Sequence, residues 1–576
     1  MNNHYDDEEP GALIIEEEEG IILPTFKPTL LPGFSPMKHQ TEALSFMKQR
    51  EADNTICGGF LSLSMGLGKT FTSLMHVIND TSSNGPTLIV CPKTALYTWV
   101  TEIEKFFGTS MSIFIYRKEN KKLQTITAEE LMNYNVVITN YEYLRTLAKT
   151  YNVYNNIACR DIFNRVFCAN TPKRPVLNSK KGDALIYSLR WNRIIADESH
   201  NFANHKTSLW QSLMCLSSTK KWCLSGTPIR NYGDDMYAQY KFLGYEEYEF
   251  NVKDFYKLNL SKYIFYINYD KANIKLPEAK HIRVKCILEE EQARIYDIFL
   301  KRANKEFKSF TIGGASFAAI FTLFLRLRQV CIAPYTITPE SDKSKSSKIT
   351  AEYEQSQKVL DDLTQGMATW IRDEEGTAGL QASKIVKATQ IIQSIKKGEK
   401  IVVFTMFKRV INLLKKKMDT LEGKKKYITI DGSVSGERRD RALDQFKTNP
   451  DIEVLFISYK IGAESLNLTE ATNIILMEGW WCPAVLEQAK ARIHRMGQTK
   501  PVTIYELYVP NDNNVKSIEE AIIEICDNKK KIANEYLNGG KSENGGKMDA
   551  KTLGEILRIA NNGGGKEKKG IRCEDD

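Results

Sequence analysis

A chain of 576 residues is longer than one hydrophobic core can organise, so two or more domains are expected. Its 42% hydrophobic and 26% charged residues are those of an ordinary soluble protein, and no apolar run reaches membrane-spanning length. The net charge of +9 permits a polyanionic partner, and eleven scattered cysteines without a Cys-x-x-Cys pair argue for reduced thiols and against a zinc module.

Residues 1–30 read as an acidic, disordered lead without the basic start of a secretory signal. Leu31 to Gln40 then opens a helix running towards Met47, with Gln40 placed either to read an adenine edge or simply exposed. The run Gly59–Leu63 alternates like a strand, and Phe71–Ile78 has the pattern of a helix. Between them lies Ser64-Met65-Gly66-Leu67-Gly68-Lys69-Thr70. Gly66 and Gly68 allow a tight turn whose N–H groups face phosphate oxygens, Lys69 brings positive charge to the β/γ-phosphates, and the Thr70 hydroxyl suits Mg²⁺. The strict pattern asks for glycine where Leu63 stands. Thr87–Lys93 and Val136–Tyr141 are strands whose polar ends, Lys93, Thr139 and Asn140, suit either plain strand ends or contacts to a nucleic-acid backbone. Residues 152–182 form a basic insertion with Phe163 and Phe167 interleaved, which fits a solvated loop as well as a DNA contact. The apolar strand Arg193–Ala196 then delivers Asp197 and Glu198, one carboxylate suited to hold Mg²⁺ and the other to activate water. A further strand leads into Ser225-Gly226-Thr227-Pro228. Alternating strands and helices up to residue 245 describe a parallel α/β domain with its functional stretches at strand C-termini.

Residues 246–380 read as a helical protrusion plus a linker that ends in a polar stretch. A second α/β run over 381–537 repeats the rhythm, with strands at 401–404, 427–430, 454–457, 473–477 and 504–508. Its last motif contains Gln488, Arg492 and Arg495. At spacing i, i+3 the two arginines share one side of a helix, which reads either as a pair reaching across a domain interface to the transferring phosphate or as an amphipathic basic helix. The tail, 538–576, is rich in Gly and Lys and expected to be disordered.

Together these motifs resemble the Swi/Snf (switch/sucrose-nonfermenting) ATPases of helicase superfamily two, from roughly residue 31 to 538. The order of motifs matches, continuing with Leu325–Cys331, Asp431-Gly432-Ser433 and Ser458–Leu468. Trp222–Pro228, Trp480–Gln488 and His494–Thr503 point to the branch of the transcription termination factor ATPases and helicase-like transcription factor, here without the RING zinc domain several members carry. Two departures stand out: Leu63 and Ser64 replace acidic residues before the phosphate loop, and Ala463 and Ser465 replace glycines beside Gly462, which puts coupling efficiency in question.

The resemblance implies two RecA-like parallel-sheet lobes with a helical protrusion and linker between them, and ATP with Mg²⁺ in the cleft. Gln40, Met65 to Thr70 and Gly462 would bind nucleotide. Lys69, Asp197, Glu198, Gln488, Arg492 and Arg495 would be catalytic, with Thr70 and Asp197 on Mg²⁺. Lys93, Thr139, Asn140, Asp431, Gly432, Ser458 and Asn467 would meet DNA, and Ser225 and Thr227 would couple the two sites. The implied activity is translocation on duplex DNA that displaces nucleosomes or stalled polymerase, or remodels DNA in repair. A monomer is expected, in the nucleus or, if the compact size marks a large DNA virus, at a viral replication site. A strand-separating helicase and a non-enzymatic DNA-binding scaffold are the alternatives, and the missing zinc ligands exclude a ubiquitin ligase.

Overall fold

The structure is a computed structural model that describes residues 28–53, 56–80, 85–153, 182–227, 234–244, 260–311, 317–337, 379–432, 436–462, 466–511 and 517–537. The acidic lead up to residue 27, nearly all of the basic insertion, Pro228, Ser433, Ala463, Ser465, most of the polar linker and the Gly/Lys tail lie outside them.

The first sheet is built from β1 (Gly58–Leu63), β2 (Thr87–Cys91), β3 (Ile113–Ile115), β4 (Val136–Asn140), β5 (Arg193–Asp197), β6 (Lys220–Leu224) and β7 (Ile264–Ile267). They lie in the order β3-β4-β2-β5-β6-β1-β7, all in parallel. The second sheet holds β8 (Ala279–Lys285), β9 (Ile401–Thr405), β10 (Lys426–Ile430), β11 (Ile452–Ser458), β12 (Asn473–Leu476) and β13 (Val502–Tyr508). Its order is β10-β11-β9-β12-β13-β8, again in parallel. Parallel strands need crossovers that cover both faces, so their central segments read as unbroken apolar runs. Successive residues of β2, Leu88 and Ile89, go to two separate cores on opposite faces of the first sheet, and Val402 and Val403 of β9 do the same in the second. The covering helices are amphipathic. In Lys408–Asp419, Val410, Ile411, Leu413, Leu414 and Met418 are buried while Lys408 and Lys416 are exposed and Lys415 and Lys417 half-buried.

The stretch 246–380 differs from its expected helical protrusion. It contains β7, which joins the first sheet, and β8, which joins the second. β7 is only four residues long, and β8 lies at a sheet edge where lysine, histidine and arginine occupy its solvent positions. The helices Glu290–Thr311 and Phe317–Ile332 do pack into a core of their own, but they share it with the C-terminal helix Ile518–Leu537, expected as part of the second lobe. The chain leaves the first sheet at Ile267 and enters the second at Ala279, so residues 268–278 form the crossover between them. Among the described residues, no helix is long and apolar enough to cross a membrane.

Candidate active site

The loop Ser64–Gly68 links β1 to the helix Lys69–Ile78. Gly66 and Gly68 have φ of 87° and 81°, a left-handed conformation that glycine adopts without steric cost. The neighbours are close as well: a Cβ at Gly66 would lie 2.6 Å from Tyr269 Oη, and one at Gly68 would lie 2.4 Å from Gln40 Nε2, so either would push that side-chain tip aside. Lys69 Nζ donates to the Leu63 carbonyl at 2.9 Å. Burial lowers its pKa, Glu198 and Asp197 raise it, and Arg492 and Arg495 lower it. Residues from both lobes therefore act on one ammonium group.

Gln40 departs from a free adenine reader. Its Nε2 donates to the Leu67 carbonyl at 3.2 Å and its Oε1 accepts from Met37 N–H at 2.9 Å, so the amide braces the phosphate loop and caps its own helix. One donor and further acceptor capacity remain on that amide.

The carboxylates stand at the end of β5. Asp197 Oδ2 accepts from the Trp99 indole at 2.9 Å and Oδ1 from Glu198 N–H at 2.9 Å. Burial first, and then the neighbouring Glu198 charge, push the Asp197 carboxyl well above its ordinary range. A second cation beside Lys69 would relieve that pressure, so two adjoining carboxylates in a shielded cleft suit Mg²⁺. Glu198 holds a left-handed backbone with φ 48°, a conformation that bears strain for a non-glycine residue and concentrates at functional sites. His200 Nδ1 lies 3.3 Å from Glu198 Oε2 and 2.9 Å from Ser225 Oγ, and Ser225 Oγ accepts from Thr227 N–H at 3.1 Å. A continuous polar path thus joins Glu198 to the end of β6. Ser225 and Thr227 are expected there from the sequence. His200, which stands between Glu198 and Ser225, closes the Asp197–His200 motif that the resemblance includes, but no separate role is expected for it there.

Gln488 lies on the helix Pro483–Lys490 and is 3% exposed. The arginines do not share that helix, which ends at Lys490 and continues as tight turns carrying Arg492 and Arg495. The turns nonetheless bring both across the interface. Arg492 Nη2 donates to Met65 Sδ at 3.8 Å, and Arg495 Nε lies 3.6 Å from where a Cβ on Gly66 would stand. Burial lowers the Arg495 pKa, with Tyr269 and Glu102 opposing. A cleft of roughly 240 Å³ opens here, lined by Met65 and Thr227 from one lobe and Gln488 and His494 from the other. Gly462 has a packing role. A Cβ there would fall 2.1 Å from the Phe404 ring, so the close approach alone requires glycine.

The expected DNA contacts divide. Thr139 is fully buried with its hydroxyl donating to the Tyr116 carbonyl at 2.9 Å. Asn140 caps the helix Tyr141–Thr150 by accepting from Tyr143 N–H at 2.8 Å. Both side chains serve the fold, which corrects their assignment to DNA. Asp431 is largely buried, with Lys408 Nζ 3.9 Å away. Lys93, Gly432 and Asn467 are exposed, and Ser458 is half-buried at the end of β11.

Residues 39–262 match the model of the SNF2-related domain, and residues 383–497 match the helicase conserved C-terminal domain. The protein named "Putative helicase 172L" of Invertebrate iridescent virus 6 is 32% identical over 92% of this chain and 95% of its own. "Probable global transactivator" of Orgyia pseudotsugata multicapsid polyhedrosis virus is 26% identical over 84% of this chain and 88% of its own. DNA repair protein RAD5A of Arabidopsis thaliana is 26% identical over 74% of this chain, which spans 49% of RAD5A. With a phosphate loop and carboxylates on one parallel sheet and arginines delivered from a second, the chain belongs to the Swi/Snf family of helicase superfamily two, ATP-hydrolysing, helicase-like enzymes with two RecA-like lobes.

Proposed function

We propose that this ATPase translocates on duplex DNA and uses that motion to displace or remodel bound protein, in transcription or repair. The observation that carries the reading is the convergence at one cleft of Met65 and Gly66 from the first lobe with Arg492 and Arg495, more than 400 residues later, from the second. A cleft assembled from both lobes makes their relative motion depend on what occupies it. Lys69 and the N–H groups of the phosphate loop hold the β/γ-phosphates, and Thr70 with Asp197 holds Mg²⁺. When bound, that ion neutralises charge on the phosphates. Glu198 takes the proton of the attacking water, and the arginines stabilise charge spread over the transferring group. The path through His200 and Ser225 to Thr227 carries the state of Glu198 to the end of β6.

The remaining DNA candidates support a binding track. Lys93 follows β2, Gly432 follows β10 and Ser458 ends β11. These strands lie in one half of each sheet, away from the edge that carries β1 and β7 or β13 and β8. Exposed cations and polar groups of this kind meet phosphates rather than base edges. The expected site of action is the nucleus or a viral replication site. ATP turnover measured without nucleic acid and with duplex DNA, single-stranded DNA or RNA tests the reading. Greatest stimulation by duplex, without strand separation, is expected. Equal rates in all four would overturn it.

A further inference from the structure

The crossover between the lobes, residues 268–278, is fastened to both catalytic loops. At its start, Ser64 N–H donates to the Ile267 carbonyl at 2.9 Å and the Tyr269 hydroxyl donates to the Met65 carbonyl at 2.6 Å. At its end, His494 Nε2, in the turns between Arg492 and Arg495, lies 2.8 Å from the Pro277 carbonyl, so that nitrogen carries the proton and donates. Tyr269 is the point where the two loops meet. A Cβ on Gly66 would lie 2.6 Å from its hydroxyl oxygen and 3.2 Å from Arg495 Cβ. Met496, the next residue of that turn, packs with Tyr269 against the core of the first lobe, and the Arg495 charge acts on the tyrosine, while burial dominates and raises its pKa. Arg495 is held within its own lobe by one long contact, Nη1 to the Leu466 carbonyl at 3.3 Å, and its Nε is buried without a hydrogen bond. The turn it stands on has no regular secondary structure to stiffen it.

We propose that Tyr269 is a positioning residue for Arg495. Its hydroxyl holds the phosphate-loop carbonyl of Met65 where the arginine turn closes on Gly66, and so sets where the guanidinium stands when the lobes close. The inference rests on the reading of Arg495 as the arginine that acts on the phosphate. Phenylalanine at 269 would keep the ring packed against the core of the first lobe, where Tyr269, Ala272 and Ile274 lie, and remove only the tie.

The test is steady-state ATP hydrolysis by the full chain for Tyr269→Phe, Arg495→Ala and the double variant, with kcat and KM for ATP measured separately. Misplacing a transition-state group should lower kcat on the order of 10-fold to 100-fold in Tyr269→Phe, with KM moving by no more than about twofold. The substitution should cost nothing further when Arg495 is already alanine. A Tyr269→Phe enzyme with full kcat beside a slow Arg495→Ala enzyme would overturn the positioning role and leave the arginine reading intact. Losses that multiply in the double variant would overturn it too, because the tyrosine would then act independently. An Arg495→Ala enzyme with full turnover would instead defeat the underlying reading.

Discussion

Asp197 and Glu478 occupy matching places in the two lobes. Asp197 ends β5 and Glu478 follows β12, each the fourth strand of its sheet. In both, burial pushes the carboxyl pKa upward, Glu478 to about 7. Their surroundings then diverge. Asp197 is 9% exposed and feels the charges of adjoining Glu198 and of Lys69. Glu478 is 1% exposed, accepts from Thr405 and Met406, and lies near Arg328, whose guanidinium sits over Trp480 at 4.4 Å. Both carboxylates accept internal hydrogen bonds, but Asp197 has a second carboxylate and an ammonium for neighbours, whereas Glu478 is matched with a guanidinium. Position in a RecA-like sheet offers a charged site, and what covers the strand end decides whether it does chemistry.

The sharpest way to break this comparison is to remove the ligand-facing charges. Lys69→Ala should abolish ATP turnover, and Glu198→Gln should retain nucleotide binding while hydrolysis stops, as read by steady-state rates beside equilibrium binding. Wild-type rates in either would dissolve the contrast between the lobes. Arg495→Ala comes next, with an expected fall in kcat on the order of 10³–10⁵, the range for an arginine that stabilises a transferring phosphoryl group. A surface arginine would instead shift stability by under about 0.5 kcal/mol and leave the rate alone. Ser225→Ala should have a smaller effect, interrupting the His200–Ser225–Thr227 path. Basal hydrolysis then persists while stimulation by duplex DNA falls, and an unchanged stimulation ratio would remove the path from coupling.

Glu478→Gln should leave turnover intact and change only the pH dependence of unfolding. The folded pKa of about 7 lies above the ordinary 4.5, so the folded chain binds a proton more tightly than the unfolded one. The stability this proton contributes is full below pH 4.5 and is lost as the pH rises through about 7. The span amounts to roughly 3 kcal/mol at most. Unfolding midpoints measured from pH 5 to 8 should therefore decline less steeply for the glutamine variant than for the wild type. Parallel curves would show that Glu478 does not titrate in this window.

Both sheets were legible in the sequence because their central strands, such as Leu88–Val90 and Ile401–Phe404, are continuous apolar runs that only a doubly covered parallel sheet explains. The phosphate loop and carboxylate pair were legible because each is contiguous: Gly66, Gly68 and Lys69 act through local backbone geometry, and Asp197 and Glu198 are adjacent. β8 was missed although Ile282 and Val284 alternate with charged neighbours, since its edge position leaves few apolar side chains to mark it. Thr139 and Asn140 were misread because a polar strand end looks the same whether its side chain meets a phosphate or caps the next helix.

The sequence by itself determined the local chemistry: which residues can cradle phosphate, ligate a cation or neutralise charge, and that they sit at strand ends in two α/β runs. Tertiary structure alone decided which of them meet. Arg492 reaches Met65, Tyr269 and Arg495 both close on Gly66, and buried Asp197 is set beside Glu198 and Lys69 while buried Glu478 is set beside Arg328. Motifs record covalent order and backbone preference, whereas desolvation and contact depend on which distant segments pack together.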